Sequence, residues 1–204
     1  SNTSTITITI TPVNDTPVVT DVEASEQSLL FGSSSRSSVA LPEIDSDLGE
    51  ANGSATYSMW FKPTADPNNT VLIHSTVSAG SSHQGVYGRV SFENGAKMKV
   101  YHYSQNGTNY SGAGTTSFSD NTDWNHFVYV IDGTLGELRG YVNGNLEFTT
   151  SYDSSSSYYH ANRRWEIGDI SFGASYHSFN GYMDDVAIWD TALTASQVSD
   201  LYND

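Results

Sequence analysis

The sequence predicts an all-β protein, an antiparallel sandwich of two sheets with one short C-terminal helix. Segments rich in β-branched and aromatic residues recur at short intervals, and turn-forming residues separate them without intervening helices. The 204 residues include 31 Ser and 20 Thr, a composition that favours strands and polar loops over long helices. Strands at this spacing are typical of antiparallel sandwiches.

The N-terminal segment is predicted to be a separate strand and linker. Residues 5–11 alternate Thr and Ile strictly, which predicts a half-buried strand with its isoleucines on one face. Residues 12–19 contain two prolines that break this strand before another begins. We therefore expect residues 1–19 to form a strand and linker that precede the domain, and residues 20–204 to form the domain itself.

The remaining strands follow in order along the chain. Two Asn-Gly pairs, at 94–95 and 143–144, predict tight hairpin turns. The predicted strands cover residues 29–31, 57–61, 71–73, 86–92, 97–103, 126–131, 138–142, 146–148, 165–167 and 182–189.

One helix is predicted at the end of the chain. Thr194 and Gln197 have the spacing of a capping box, in which each side chain bonds the other residue's backbone N–H. Leu193, Val198 and Leu201 would form its buried stripe. Because so short a helix is not stable alone, we expect it to lie against the sandwich.

The charge of the chain limits its partners. Eight basic residues against 23 acidic ones give a formal net charge of −15, which argues against binding to nucleic acid or anionic lipid. So many carboxylates repel one another in a compact fold, and bound Ca²⁺ would relieve that repulsion.

The chain has no cysteine, which excludes disulfides, thiolate zinc sites and a cysteine nucleophile. No apolar run has the length of a membrane span.

Five motifs resemble those of laminin-G-like and pentraxin-like jelly rolls, and they occur in the order of that family. They are TYSMWFKP at 56–63, DWNHFV at 123–128, YVNGN at 141–145, FNGYMDDVAIW at 179–189 and TALT at 191–194. The resemblance covers residues 28–203 and implies a concanavalin-type jelly-roll sandwich of two curved sheets. Within it, Trp60, Trp124 and Trp189 are expected in the core. His126 is expected to be a hydrogen-bonded structural histidine.

The resemblance also implies a calcium site. In pentraxins, the loop corresponding to residues 62–70 carries an Asp-Asn pair that ligates calcium, so the candidates here are Asp66, Asn68 and Asn69. Asp169, after the strand at 165–167, would supply the second half of the site. It stands alone where pentraxins have an acidic cluster, so we expect one ion rather than two. The alternative is that residues 66–69 form an ordinary turn.

Two further pairs are cation candidates. Residues 12–19 resemble the junction between cadherin-like or immunoglobulin-like repeats of large bacterial surface proteins, where Asn14 and Asp15 would help to hold calcium. An Asx turn before proline is the alternative. Asp184 and Asp185 would either accept backbone N–H bonds at a strand end or bind a structural cation with loop carbonyls.

Polar loops containing aromatic residues are the candidate ligand sites. A pyranose has an apolar C–H face and a polar rim, and aromatic rings beside hydroxyl and amide groups match both. The same residue types also suit peptides. A simple solvated connection is the third interpretation. The residues concerned are Tyr110, Tyr158, Tyr159, His160, Tyr176 and His177.

An enzyme is the less favoured interpretation. Some concanavalin-type sandwiches hydrolyse β-glucans with a Glu-Ile-Asp-x-Glu run, and this chain has Glu43-Ile44-Asp45-Ser46-Asp47. Its last carboxylate is one methylene shorter, whereas a retaining mechanism requires carboxyls roughly 5–5.5 Å apart. The resemblance therefore implies a non-catalytic, calcium-dependent module that binds carbohydrate, in a large bacterial surface adhesin of the RTX type. Its partners would be a cell-surface glycan or peptide and neighbouring repeats. A structural spacer without ligand is the main rival.

Overall fold

The computed structural model describes residues 28–32, 38–41, 53–77, 88–103, 108–156, 163–168 and 177–204. These residues form two β-sheets and a C-terminal helix, α1, at Ala195–Asn203, with a short 3₁₀ helix at Ser154–Ser156. The predicted fold class is confirmed. The strands are β1 Leu29–Phe31, β2 Val39–Ala40, β3 Ala55–Pro63, β4 Thr70–Val77, β5 Gly88–Glu93, β6 Lys97–Tyr103, β7 Asn109–Ser117, β8 Asn125–Asp132, β9 Glu137–Val142, β10 Asn145–Ser151, β11 Arg163–Ile167, β12 His177–Ser178 and β13 Gly181–Trp189.

Each sheet combines a run of consecutive strands with strands that are distant in sequence. Sheet A has the order β1-β13-β3-β8-β9-β10, and sheet B has the order β2-β11-β4-β5-β6-β7. All of these pairs are antiparallel, and the short β12 adds a parallel pairing to β4. The predicted hairpins at residues 94–95 and 143–144 connect β5 to β6 and β9 to β10. The segment 1–27, with the predicted linker strand, lies outside the described residues.

The core lies between the two sheets, where alternate residues of the strands face inward. Phe61 of β3 and Phe92 of β5 are fully buried, with ring centroids 5.3 Å apart. Phe118 and Phe179 are also fully buried and contact Phe61 edge-to-face. These two residues lie just outside β7 and β12. Their rings therefore anchor the chain segments that leave the sheets at one end of the sandwich.

Helix α1 covers part of the outer face of sheet A. The predicted capping box is present: Gln197 N–H donates to Thr194 Oγ1 at 3.3 Å, and Thr194 N–H donates to Gln197 Oε1 at 2.9 Å. Leu193 and Val198 are buried against sheet A, and Leu201 packs at the edge of the same cluster. The predicted helix and its apolar stripe are confirmed.

The tryptophans differ from the sequence-based expectation. Trp165 of β11 is the core tryptophan, with 4% of its surface exposed. Trp60 and Trp189 point outward from sheet A and are half-buried, because each alternates with inward-facing neighbours of its strand. Trp124, also expected in the core, is the residue before β8 and is 38% exposed. The expectation was wrong because alternation alone does not tell which face of a strand is covered.

The sequence does not predict strand β7, and it places the candidate ligand residue Tyr110 in a polar loop. Its sequence, Asn-Tyr-Ser-Gly-Ala-Gly-Thr-Thr-Ser, lacks alternating large apolar residues. The small residues are required, because the ring of Phe148 lies between Gly112 and Gly140, and a Cβ at either glycine would overlap that ring. Tyr110 accordingly lies in a strand rather than in a loop.

The free edges of the two sheets are joined by Glu147 of β10. Its carboxylate accepts hydrogen bonds from the backbone N–H groups of Thr115 and Thr116 and from both of their hydroxyls, at 2.6–3.2 Å. Burial acts to raise the pKa of Glu147, but these hydrogen bonds outweigh it and hold the pKa below its usual value. The ionised carboxylate therefore stabilises this edge of the sandwich.

Candidate functional site

Three of the predicted calcium-binding residues, Asp66, Asn68 and Asn69, lie at one end of the sandwich, which we call the loop end. The loop end comprises residues 64–69 between β3 and β4, the turn 94–96 between β5 and β6, and residues 118–124 between β7 and β8. The antiparallel register brings these connections together. Pro63 pairs with Gly181 and Phe61 pairs with Asn125, so the start of β13 and the start of β8 lie there too.

The loop 64–69 has the geometry of a well-ordered turn. Asp66 Oδ1 accepts a hydrogen bond from the backbone N–H of Asn68 at 3.0 Å. Thr70 closes the loop by donating its N–H and its hydroxyl to the carbonyl of Pro67. Asn69 has a left-handed φ of 62°, which asparagine tolerates better than most residues. Its backbone N–H donates a hydrogen bond to the carbonyl of Phe92 at 2.8 Å.

Asn68 connects this loop to the neighbouring hairpin turn. Its Oδ1 accepts hydrogen bonds from the backbone N–H groups of Gly95 at 3.2 Å and Ala96 at 3.1 Å. An amide oxygen has two lone pairs, and both are used here. In this conformation Asn68 therefore acts as an anchor between two turns, while the exposed side chains of Asp66 and Asn69 present the oxygens available to a cation.

The other side of the hairpin turn is bonded to the loop 118–124. The Ser117 hydroxyl donates to the Gly95 carbonyl at 2.7 Å, and Phe118 N–H donates to the Ala96 carbonyl at 2.9 Å. The turn 94–96 is therefore held from both sides. The three loops form one hydrogen-bonded unit on top of the buried phenylalanines.

Asp169 lies outside the described residues, but the strand that precedes it ends at the loop end. Gly168 N–H donates to the Leu72 carbonyl at 2.8 Å, and Phe179 N–H donates to the Gly168 carbonyl at 2.7 Å. The topology thus brings the end of β11 close to the start of β4. Among the described residues, no group of three or more His, Cys, Asp or Glu side chains has the arrangement of a metal site.

Asp184 and Asp185 lie elsewhere, on the outer side of sheet A. Asp184 pairs with Trp60, and a bulge follows in which Asp185 has a positive φ of 46°. Burial and the neighbouring Asp184 raise the pKa of Asp185. The Asp184 carboxylate accepts the N–H of Asp185 at 2.9 Å, which matches the backbone-bonding alternative. Asn14 and Asp15 lie outside the described residues.

The predicted ligand-binding residues do not form one cluster. Tyr110 packs against the core, with its ring 6.0 Å from that of Tyr152, at the end of the sandwich opposite to the loop end. His177 is in β12, and its backbone pairs with Thr70 at the loop end. The other candidates lie outside the described residues: Tyr158, Tyr159, His160 and Tyr176.

The outer face of sheet B carries a charged network that the sequence analysis did not identify. Arg89 and Tyr101 both donate to the Glu93 carboxylate, at 2.9 and 2.7 Å, and Lys99 lies 3.4 Å from it. The cations of Arg89 and Lys99 lie 4.0 and 4.6 Å from the Tyr101 ring centroid. The hydrogen bond with Tyr101, together with Glu93, raises the pKa of Lys99. Side chains alternate between the two faces of a strand, so the core residue Val90 could have indicated that the neighbouring Arg89 points away from the core.

His126 has the structural environment expected of it. Its Nε2 lies 2.7 Å from the Ser58 hydroxyl, and its ring is in contact with those of Trp60 and Tyr202, whose centroids lie 5.0 and 6.2 Å from its own. Burial lowers the pKa of His126 to about 4, so the ring is neutral at physiological pH. This serine–histidine pair is buried beneath two aromatic rings, an arrangement that closes it to a substrate.

The carboxylates considered for catalysis, Glu43, Asp45 and Asp47, lie outside the described residues. In the described part of the chain, no helix has the length and apolar character needed to span a membrane.

Comparison with solved structures identifies similar folds. The chain is 20% identical to domain 4 of AbnA, a GH43 extracellular arabinanase from Geobacillus stearothermophilus, with a TM-score of 0.61 over 86% of this chain and 76% of that one. It is 20% identical to the SAP-like pentraxin of Limulus polyphemus, with a TM-score of 0.55 over 73% and 69% of the two chains. For the receptor-binding domain of botulinum neurotoxin D, identity is 14% and the TM-score 0.58, over 85% of this chain and 42% of that one.

Sequence comparison gives the family. No curated protein sequence matches the chain. A family model of the laminin-G type, described as the concanavalin A-like lectin/glucanases superfamily, matches residues 32–199 of the chain. That match covers more than half of the chain and all but the first few residues of the described sandwich. The chain therefore belongs to the concanavalin A-like lectin/glucanase superfamily.

Proposed function

We infer that this domain is a non-catalytic, calcium-assisted glycan-binding module of a bacterial cell-surface adhesin. The observation that carries the proposal is the hydrogen-bonded loop end, where three connections are fixed to one another and present exposed side-chain oxygens. A preorganised surface loses little conformational entropy when a ligand binds, which favours recognition. Loops on a rigid sandwich are also where binding residues are concentrated in proteins.

The related folds support a binding role. The arabinanase domain was solved with arabinotriose, and the neurotoxin domain is described as receptor-binding. Neither is described as the catalytic part of its protein. The buried position of the Ser58–His126 pair agrees with a domain that binds rather than hydrolyses.

Calcium would be held by Asp66 and Asn69 together with Asp169. These side chains offer the hard oxygen ligands that Ca²⁺ prefers, and Asn68 would act as the anchor that keeps the loop in position. The net charge of −15 favours uptake of a divalent cation at this surface. When bound, the ion would offer coordination positions to sugar hydroxyls.

Calorimetric titration of EDTA-treated protein with Ca²⁺ tests the metal. We expect Asp66→Asn, which keeps the acceptor for the Asn68 N–H but removes the charge, to weaken Ca²⁺ binding at least tenfold. Asp190→Asn is the matched control, because Asp190 is an exposed carboxylate that follows β13 at the opposite end. Equal calcium affinity in both variants would remove Asp66 from the site.

A glycan array with the calcium-loaded domain tests ligand binding, and a peptide panel tests the alternative ligand. A structural spacer would leave both blank. Release of reducing sugar from laminarin would instead identify a β-glucan hydrolase.

A further inference from the structure

An exposed tryptophan at the loop end has no structural role in the core. Trp124, the residue before β8, is 38% exposed, and its indole lies against the ring of Tyr182, with centroids 6.4 Å apart. Large aromatic side chains stabilise proteins by burial, so one held half-exposed on a rigid strand end is available to a ligand.

A cavity of about 410 Å³ lies in the segment that leads directly to Trp124. The cavity is open to solvent, and every side chain that lines it is polar. The lining residues are Ser117, Ser119, Asp120, Asn121, Thr122 and Asp123.

The cavity wall is held in place by its own hydrogen bonds. Asn121 Oδ1 accepts the N–H of Asp123 at 2.8 Å, and the Asn121 amide donates to Asn125 Oδ1 at 3.3 Å. Asn125 is buried and in turn donates to the Asp123 carbonyl at 2.9 Å. The fully buried Phe118 fixes the other end of the loop in the core. The cavity is therefore formed before any ligand arrives.

Two carboxylates of this wall face solvent. Asp120 and Asp123 are exposed, and within the part of the chain that the structure describes their side chains have no hydrogen-bond or ion-pair partner. Carboxylates accept strong hydrogen bonds from hydroxyl groups. No basic side chain lines the cavity, so an anionic ligand would meet uncompensated repulsion there.

We propose that the cavity of residues 117–123 and Trp124, the next residue along the chain, form a binding site for a neutral saccharide. The apolar C–H face of a sugar ring would lie on Trp124, and its hydroxyls would donate to Asp120 and Asp123. The proposal rests on the glycan-binding function proposed above and specifies the class of glycan and the place where it binds.

The test is titration calorimetry with neutral and acidic trisaccharides, each in Ca²⁺ and in EDTA. The neutral probes are maltotriose, cellotriose, xylotriose and arabinotriose, and the acidic probes are sialyllactose and trigalacturonic acid. We expect a neutral probe to bind, with its Kd raised at least tenfold by Trp124→Ala and severalfold by Asp120→Asn. Leu135→Ala is the control, because Leu135 is an exposed apolar side chain, 64% exposed, at the opposite end. Melting curves of all variants establish that they are folded.

A second readout does not depend on substitution. The indole N–H signals of the four tryptophans can be followed by NMR during titration, and the Trp124 signal is expected to shift while that of the buried Trp165 stays in place.

Each other outcome overturns the assignment in a distinguishable way. If a neutral probe binds but Trp124→Ala has no effect, the site is elsewhere and the glycan-binding function stands. If only acidic probes bind, the charge argument is wrong and the basic outer face of sheet B is the place to look. If Asp120→Asn weakens Ca²⁺ binding but not saccharide binding, the cavity is an ion site. No binding of any saccharide in Ca²⁺ contradicts both proposals.

Discussion

Substitution of Asn68 by alanine separates the two roles considered for the loop 64–69. The change removes the acceptor of two backbone hydrogen bonds, from Gly95 and from the fully buried Ala96. Each bond contributes about 1 kcal/mol net, and water replaces the acceptor less readily at buried Ala96. We therefore expect Asn68→Ala to lower the free energy of unfolding by about 2 kcal/mol. In a domain of this size that loss corresponds to a fall in Tm of about 4–8 °C.

The measurement is urea unfolding followed by tryptophan fluorescence, in EDTA and again in Ca²⁺. If Asn68 is an anchor between turns, the loss is present in EDTA and the slope of the transition is unchanged. Asn68→Asp keeps an acceptor oxygen at the same position and should retain most of the stability. A loss seen only in Ca²⁺ would refute the anchor role and make Asn68 a calcium ligand.

Three further predictions concern stability. Gly112→Ala drives a Cβ into the ring of Phe148, and we expect a loss of about 1–3 kcal/mol in urea unfolding. Glu147→Gln should lower stability at pH 7, and the difference from wild type should shrink as the pH becomes acidic. Because the folded pKa of Glu147 is depressed, its stabilisation is present above the unfolded pKa and is lost as the pH falls through the folded pKa. His126 stays neutral in the folded state down to about pH 4, whereas in the unfolded state it is protonated below about pH 6.5. The free energy of unfolding should therefore decrease as the pH falls through this interval, and His126→Gln should make that decrease smaller.

Controls make these three predictions specific. Gly32 has no atom within 4 Å of an added Cβ, so Gly32→Ala should leave stability unchanged, and an equal loss in both glycine variants would contradict the packing argument. Thermal melts across pH 3–8 test the two titrating groups. Parallel pH profiles for wild type and Glu147→Gln, or for wild type and His126→Gln, would contradict the corresponding assignment.

Much of the sandwich was predictable because its signals are local. The alternation around Val90 and Phe92, the Asn-Gly turns and the Thr194–Gln197 capping box each depend on residues a few positions apart. Strand β7 escaped prediction because its small residues are selected by a contact with Phe148, which lies more than thirty positions away in the chain.

For the candidate site, the sequence could predict the chemical types of the residues but not the contacts between them. The sequence identifies residues 66–69 as oxygen-rich turn formers. It does not show that the side-chain oxygen of Asn68 already accepts the backbone N–H groups of Gly95 and Ala96, because that hairpin turn is distant in the chain. Trp124 belongs to a motif, yet its exposure depends on which residues pack around it in the folded chain, such as Tyr182.

By itself, the sequence determined the class of fold, the order of most strands, the closing helix and a surplus of negative charge. Those properties follow from side-chain periodicity, turn residues and composition, which neighbouring residues specify together. The tertiary structure alone decided which face of each strand is covered, and which loops meet at the loop end. Strand order and register bring residues such as Asn68 and Gly95 into contact, and pairing between distant strands is a property of the whole sheet rather than of any one segment.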